Sequence, residues 1–259
     1  MSAEEKKYEV PSDFAAKANI DFNTYKSMYE ESIHSPDSFW AKQAERLHWH
    51  KKWDRVYEGD FANARLSWFK GGKLNAAYNC LDRHLSTPLK NRTAIIWEGD
   101  SPEESRSFTY AELHTMVNRF ANVLKSRGIK KGDRVIIYMP MIPELAVSVL
   151  ACARIGAIHS VVFGGFSPES LHGRIDDCKP VLIITSDAGM RGGRIIDMKK
   201  NVDIAISKSE SSVKEVIVVR RVGEAAKIDW KDGRDHWWHE LDAASSITDQ
   251  CEAEQMDAE

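Results

Sequence analysis

The sequence has no apolar run long enough to span a bilayer. Its longest, Leu145 to Ala153, is followed by Arg154 and falls well short of the ~20 residues a spanning helix needs. Cysteine is scarce. Cys80, Cys152, Cys178 and Cys251 form no CxxC pair, which excludes a zinc ribbon or dithiol motif and predicts reduced thiols in a cytosolic protein. Neither sign of charge dominates: 36 Lys and Arg against 39 Asp and Glu give a net charge of −3. With a pI near 6.3, the chain lacks the footprint of a nucleic-acid binder, though local basic spots suffice for a small phosphorylated ligand. The N-terminal MSAEEKKYEVPSDF carries acids and no apolar centre, which excludes a signal peptide. Together these absences predict a cytoplasmic protein with no membrane and no nucleic-acid partner. No internal repeat or low-complexity tract is present.

Several catalytic signatures are also missing. Gly71-Gly72-Lys73 lacks the upstream glycine and following Ser or Thr of a P-loop, and no GxGxxG follows a strand-like run. His48-Trp49-His50 has no carboxylate or cysteine at ligand spacing. His236 and His239 stand three apart with no third ligand nearby, so both groups read as structural and no metal site is expected. No Ser-His-Asp or Cys-His arrangement stands out.

What is there is a globular composition, 42% hydrophobic and 29% charged over 259 residues, enough for one large domain or somewhat more. Residues 1–92 are crowded with aromatic and basic side chains. Tyr25, Tyr29 and Ile33 recur every four residues, and Ser35-Pro36-Asp37 breaks the run. Pro36 suits the first turn of a second helix carrying Phe39, Trp40 and Leu47 on one side. This segment reads as a helical extension whose aromatic face is core.

From Thr93 the pattern becomes regular. Thr109-Tyr-Ala-Glu112 matches a capping box, Leu113, Val117, Phe120 and Leu124 trace one helical face, and Gly128 supplies a stop. Arg134–Met139 reads as a buried strand, and Pro143-Glu144 opens a helix ending at Gly156. Ile158–Phe163 is a second strand. Ser167-Pro168-Glu169 starts a third helix that runs to about Cys178. Further strands are expected at Val181–Thr185 and Val216–Val219, with helices around Ile195–Ile206 and through Trp237, Trp238 and Leu241. The tail after Ser245 reads as a loop or linker. Alternation of this kind predicts an α/β fold: a helical N-terminal extension, then a mostly parallel sheet covered by helices on both faces.

Ligands of such sheets sit beyond the carboxyl ends of the strands, and two loops there draw attention. In Val162-Phe163-Gly164-Gly165-Phe166-Ser167-Pro168-Glu169, two glycines let a ligand approach the backbone, and a helix start follows. The same double glycine would also serve any tight strand-to-helix turn. In Asp187-Ala-Gly-Met-Arg191-Gly192-Gly193-Arg194, two arginines three apart are expected to neighbour each other on a helical start. That arrangement suits a terminal phosphate, although an arginine pair on a helix also serves as a solvated face.

Several runs closely resemble AMP-forming acetyl-CoA synthetases of the acyl-adenylate-forming superfamily. They are Tyr138–Ala146, Leu150–Glu169, Met190-Arg-Gly-Gly-Arg194, Lys199–Val202 and Trp230–Trp238, together with the aromatic N-terminal segment. The resemblance implies an enzyme that converts ATP and acetate to acetyl-adenylate and pyrophosphate. The thiol of coenzyme A then displaces AMP. It implies that Arg191 and Arg194 hold the 3′-phosphate of coenzyme A with Gly192 and Gly193 between them. Phe163, Gly164 and Gly165 would line the adenine end of that site. It further implies an extension over 1–92 and the first part of the AMP-binding domain over 93–259. The family's ATP-phosphate loop, acetate pocket, Mg²⁺ site and adenylation lysine have no counterpart here, so no catalytic residue and no metal ligand is expected, nor adenylation by this chain alone. A sheet of this extent is expected to expose an edge through which copies associate. Two other readings are a propionyl-CoA synthetase, and a non-catalytic module that binds coenzyme A or a partner.

Overall fold

A computed structural model of the chain describes residues 8–210 and 213–259; most of the acidic N-terminal run, Met1–Lys7, lies outside the described residues. The chain divides into two compact units: one runs up to Gly72 and includes Ala258–Glu259, and the other is Lys73–Asp257. The sequence expectation set its division near residue 92.

The first unit begins with α1 (Ser12–Ala15), α2 (Phe22–His34) and α3 (Pro36–Ala44). Asp21 caps α2 by accepting from the Thr24 amide at 2.7 Å, and Pro36 occupies the first turn of α3 as its fixed φ favours. Contrary to an all-helical extension, a hairpin follows, β1 (Arg55–Asp60) antiparallel to β2 (Arg65–Lys70). Aromatics drive it: Tyr57 faces Trp68 across the ladder with ring centres 4.8 Å apart. Trp49 packs on Trp53 and Phe69 at 4.8 and 5.5 Å. The Tyr25–Tyr29–Ile33 stripe is exposed rather than core; its two rings stack on each other at 6.2 Å.

The second unit runs β3 (Lys73–Leu74), α4 (Ala76–Cys80), β4 (Thr93–Glu98), β5 (Ser105–Thr109), α5 (Tyr110–Ser126) and β6 (Arg134–Met139). Then come α6 (Pro143–Ile155), β7 (Ile158–Phe163), α7 (Pro168–Cys178), β8 (Leu182–Ser186), β9 (Gly189–Arg191) and β10 (Arg194–Ile196). It closes with α8 (Met198–Lys208), β11 (Glu215–Val219), β12 (Asp235–Trp237), α9 (Trp238–Ala243) and β13 (Met256–Asp257). The capping box at Thr109 is formed in both directions, with Glu112 accepting from the Thr109 amide at 2.8 Å. Gly156 takes the left-handed conformation that ends α6.

Five strands form an all-parallel sheet in the order β12-β11-β8-β6-β7. Its central strands feed two cores alternately, as the two-residue period requires. Val135, Ile137 and Met139 of β6 join α5 and α6 on one face. Ile136 and Tyr138 join α7 and α8 on the other. Burial of Cys152 in the first core pushes its thiol up to about 12. On its outer side β7 pairs with no strand among the described residues, and it exposes Ile158, Val161 and Phe163.

The segment after α9 is irregular, as expected, yet it is a strap rather than a linker. Ile247, Cys251 and Ala253 are buried. Its carbonyls accept from side chains of the body: Asp249 from Asn118 at 2.9 Å, Cys251 from Arg154 at 2.6 Å and Glu254 from Asn75 at 2.9 Å. β13 then pairs antiparallel with β3.

Candidate functional site

The connections after β6 and β8 leave the sheet on opposite faces, since α6 packs in one core and α8 in the other. These strands are neighbours, so a crevice opens at their carboxyl ends, where open α/β sheets bind ligands. A cavity of about 730 Å³ lies there. Its floor comes from the ends of β6 and β7, Met139–Ile142 and Val161–Gly165. One wall comes from Trp97–Asp100 and the other from Gly189–Arg191 with Arg221.

The Phe163–Phe166 segment is a tight turn, closed by the Phe166 amide donating to the Phe163 carbonyl at 2.9 Å. Both glycines sit close to neighbouring atoms. A Cβ on Gly165 would lie 2.6 Å from the Phe163 ring, and one on Gly164 would lie 3.0 Å from the Met139 carbonyl oxygen. Tyr138 fixes this turn from below. Its hydroxyl donates to the Phe166 carbonyl at 2.8 Å and accepts from Asn201 at 3.1 Å. Burial raises the Tyr138 pKa, with the Asn201 bond opposing that rise, so the phenol is a neutral donor. The sequence does carry a signal for this role: a tyrosine in an otherwise apolar buried strand requires a polar partner.

Arg191 and Arg194 do not lie on a helical start. β9 and β10 form a hairpin in which Arg191 and Arg194 are direct cross-strand partners. The two-residue turn is Gly192-Gly193, with φ of 56° and 72°. Two successive left-handed residues define the hairpin turn whose twist matches its strands, and glycine adopts it without strain. Cross-strand partners project to one face of the hairpin, so the arginines are neighbours as expected, by a different geometry. Arg119, Arg127, Arg154, Arg221 and Arg234 are committed to carboxylates. Arg191 and Arg194 make no ion pair among the described residues. Phe163, Gly164, Gly165 and Arg191 line the cavity, while the Gly192-Gly193 turn and Arg194 at the start of β10 adjoin it outside its wall.

Three acids to which the sequence assigns no role organise the surroundings. Buried Asp187 accepts from the amides of Arg221 and Gly223 at 2.9 and 2.7 Å, tying the end of β8 to the loop after β11. The Arg221 guanidinium grips both oxygens of Glu104, at 3.0 Å to Oε1, and lies 5.3 Å over the Trp97 ring. The Arg221 hydrogen bond holds the Glu104 carboxyl below its ordinary range. Asp100 accepts from the Gly192 and Gly193 amides at 2.9 and 2.7 Å. Nothing in the local periodicity announces Asp100, because its partners lie more than ninety positions away.

Among the described residues the cavity wall has no His, Cys, Ser, Thr, Tyr or Lys. It is equipped to hold a flat apolar group beside an anion. No helix of the described residues is long and apolar enough to cross a membrane.

Comparison with known proteins gives consistent results. Residues 25–80 match the model described as acetyl-coenzyme A synthetase N-terminus. An acetyl-coenzyme A synthetase of Leptospira biflexa is 58% identical over 247 residues, covering 95% of this chain and 38% of the relative. The one from Alkalilimnicola ehrlichii is 53% identical, covering 98% and 39%. The chain thus spans about two fifths of the length of these curated relatives. The structure of an acetoacetyl-CoA synthetase from Streptomyces lividans superposes with a TM-score of 0.77 at 27% identity, over 90% of this chain and 34% of that one. Residues 81–258 match the model described as AMP-binding enzyme, and the chain belongs to that family, as a member whose N-terminal segment is of the acetyl-coenzyme A synthetase type.

Proposed function

We propose that this chain supplies part of the coenzyme A site of an AMP-forming acetate–CoA ligase. In that reaction acetate attacks the α-phosphate of ATP, releasing pyrophosphate, and the coenzyme A thiolate then displaces AMP from the acetyl-adenylate. In this reading the aromatic extension, residues 1–92, precedes the first part of the AMP-binding domain, 93–259. The cytoplasm is its compartment, and acetate, ATP and coenzyme A are its small-molecule partners. Copies of the chain associate through the free edge of β7.

The observation that carries the reading is the unpaired arginine couple at the mouth of the cavity. Like charges directly opposite across a hairpin destabilise it, so the pair is best explained by an anion that neutralises it. Guanidinium forks match phosphate oxygens. Arg191 and Arg194 would hold the 3′-phosphate, with the Phe163-Gly164-Gly165 turn against the adenine. The residues present do not fit a Mg²⁺–ATP site. Among the described residues no three His, Cys, Asp or Glu side chains gather, and Asp100, one of two acids on the cavity wall, is held by backbone amides. No adenylation step is therefore assigned to these side chains.

Calorimetric titration of the full chain with coenzyme A and with 3′-dephospho-CoA tests the proposal. A charge-assisted contact worth about 1.5–3 kcal/mol weakens binding roughly ten- to hundredfold when lost. Both removal of the phosphate and the double change Arg191→Ala, Arg194→Ala are expected to have that effect. Equal affinity for the two nucleotides would overturn it.

A further inference from the structure

The arginine turn gains little support from its own side chains. Its centre needs two consecutive left-handed residues. A Cβ on Gly192 or Gly193 would meet nothing within 4 Å, so the side-chain face of the turn is open and its backbone amides are the groups that bind neighbours. Its flanks are two arginines whose charges repel across the ladder. Successive amides in such a turn converge on one point and form a concave anion site. Here the Asp100 carboxylate fills that point, one oxygen to each amide, at 2.9 and 2.7 Å.

Asp100 is itself delivered by a fixed element. It sits in the β4–β5 connection, which is closed by the Gly99 amide on the Glu104 carbonyl at 2.6 Å and the Glu104 amide on the Ser101 carbonyl at 2.9 Å. A Cβ at Gly99 would lie 2.7 Å from Glu104 Cβ, so a side chain there would displace Glu104. The Glu104 carboxylate is clamped by Arg221, whose own amide is held by buried Asp187 at 2.9 Å. A continuous set of hydrogen bonds thus runs from the end of β8, through Arg221 and Glu104, to the tip of the arginine hairpin.

We propose that Asp100 is the positioning residue of this site: by occupying the paired Gly192 and Gly193 amides, it fixes the turn that sets Arg191 and Arg194 side by side for one phosphate group. The proposal rests on the coenzyme A reading above. It assigns Asp100 a role opposite to the one its charge alone suggests. A carboxylate beside a phosphate site would ordinarily repel the ligand, and removing it would tighten binding. As a positioning group bonded to amides, its loss instead frees the turn, separates the guanidinium groups and weakens recognition of the phosphate.

The test compares the wild-type chain with Asp100→Ala and Asp100→Asn, reading the ratio of the dissociation constants for 3′-dephospho-CoA and coenzyme A. Asp100→Ala is expected to lower that ratio roughly tenfold, towards unity, by loss of the charge-assisted bonds. Asp100→Asn, which removes the charge but keeps a carbonyl acceptor, is expected to restore most of it. Tighter coenzyme A binding by both variants, or an unchanged ratio in Asp100→Ala, would overturn the proposal. Hydrogen exchange at the Gly192 and Gly193 amides supplies a reading independent of ligand. It should accelerate in Asp100→Ala and stay slower in Asp100→Asn, and equal exchange in all three proteins would also overturn it. If the wild type does not distinguish the two nucleotides, the coenzyme A reading fails, and the exchange rates alone decide the role of Asp100 in the turn.

Discussion

The Lys199 ammonium is fully buried at the start of α8 and donates to Asp203, to the Asp229 carbonyl and to Asp235, at 2.9, 2.9 and 2.8 Å. Arg234 joins the same two carboxylates, at 2.6 Å to Asp235. Burial alone would raise the Asp235 pKa, but the hydrogen bonds from Arg234 and Lys199 outweigh it and hold the carboxyl below its ordinary value. Two cations and two anions balance in a largely buried site, so removing one leaves a desolvated charge behind. Lys199→Met is expected to cost about 3–5 kcal/mol. Lys208→Met, which breaks the exposed pair with Glu169, should leave the unfolding midpoint nearly unchanged. Urea unfolding of the two variants checks the contrast; comparable midpoints would show that the buried network is not held together by its charges.

At the scale of elements, the free edge of β7 has consequences for association. Ile158, Val161 and Phe163 are exposed along it, and no lysine or proline lies within the strand to discourage pairing. Concentration-dependent self-association is expected in sedimentation velocity, and Val161→Lys should reverse it. A wild-type monomer at every concentration would refute the association. How far such elements can be read from sequence depends on which distances define them. Four of the five parallel strands, the capping box at Thr109 and the stop at Gly156 were legible because each carries its own local residue pattern. By contrast β12, expected as part of the helix through Trp237, Trp238 and Leu241, is a three-residue strand too short to show one. The arginine hairpin was misread for a physical reason. Residues three apart are neighbours both on a helix and across a two-residue turn. Only Gly192-Gly193 separates the two cases, and a double glycine is a hairpin signal. The β1–β2 hairpin was hidden by aromatics, which pack equally well on a helix face and on a pleated surface. The roles of Asp100 and Glu104 were out of reach, because they depend on where distant loops meet.

At the scale of the whole molecule, acid should act in two steps. Burial lowers the His159 pKa, so the folded state resists its protonation and stability begins to fall as pH drops through the ordinary histidine value of about 6.5. Asp82 is the larger case. Burial pushes its carboxyl up, yet hydrogen bonds from Arg154 and His114 outweigh that and leave it far below its ordinary value. A depressed carboxyl contributes stability that is complete above the unfolded value, about 3.9, and is lost as pH falls towards the folded one. Denaturant melts between pH 7 and 3 should therefore show a shallow decline below about 6.5 and a steep one below about 4. Flat stability across both windows would contradict these pairings.

The strap that closes the second unit bears on how the chain is made. The Asn75 side-chain amide donates to the carbonyls of Ala153 and Arg154 and, 179 residues beyond it, to that of Glu254, and β3 finds its partner only in β13. At about 5–20 residues per second, a ribosome takes roughly ten to forty seconds to cover that interval. Throughout it the sheet and its helices can assemble, while β3 and the α5 side chains that will bind the strap, Asn118, Arg119 and Asn122, wait uncovered. The order of synthesis is thus not the order of completion. The first strand of this unit is among the last of its elements to reach its final contacts, and in a growing chain that strand stays open to chaperones and proteases until residue 257 has emerged.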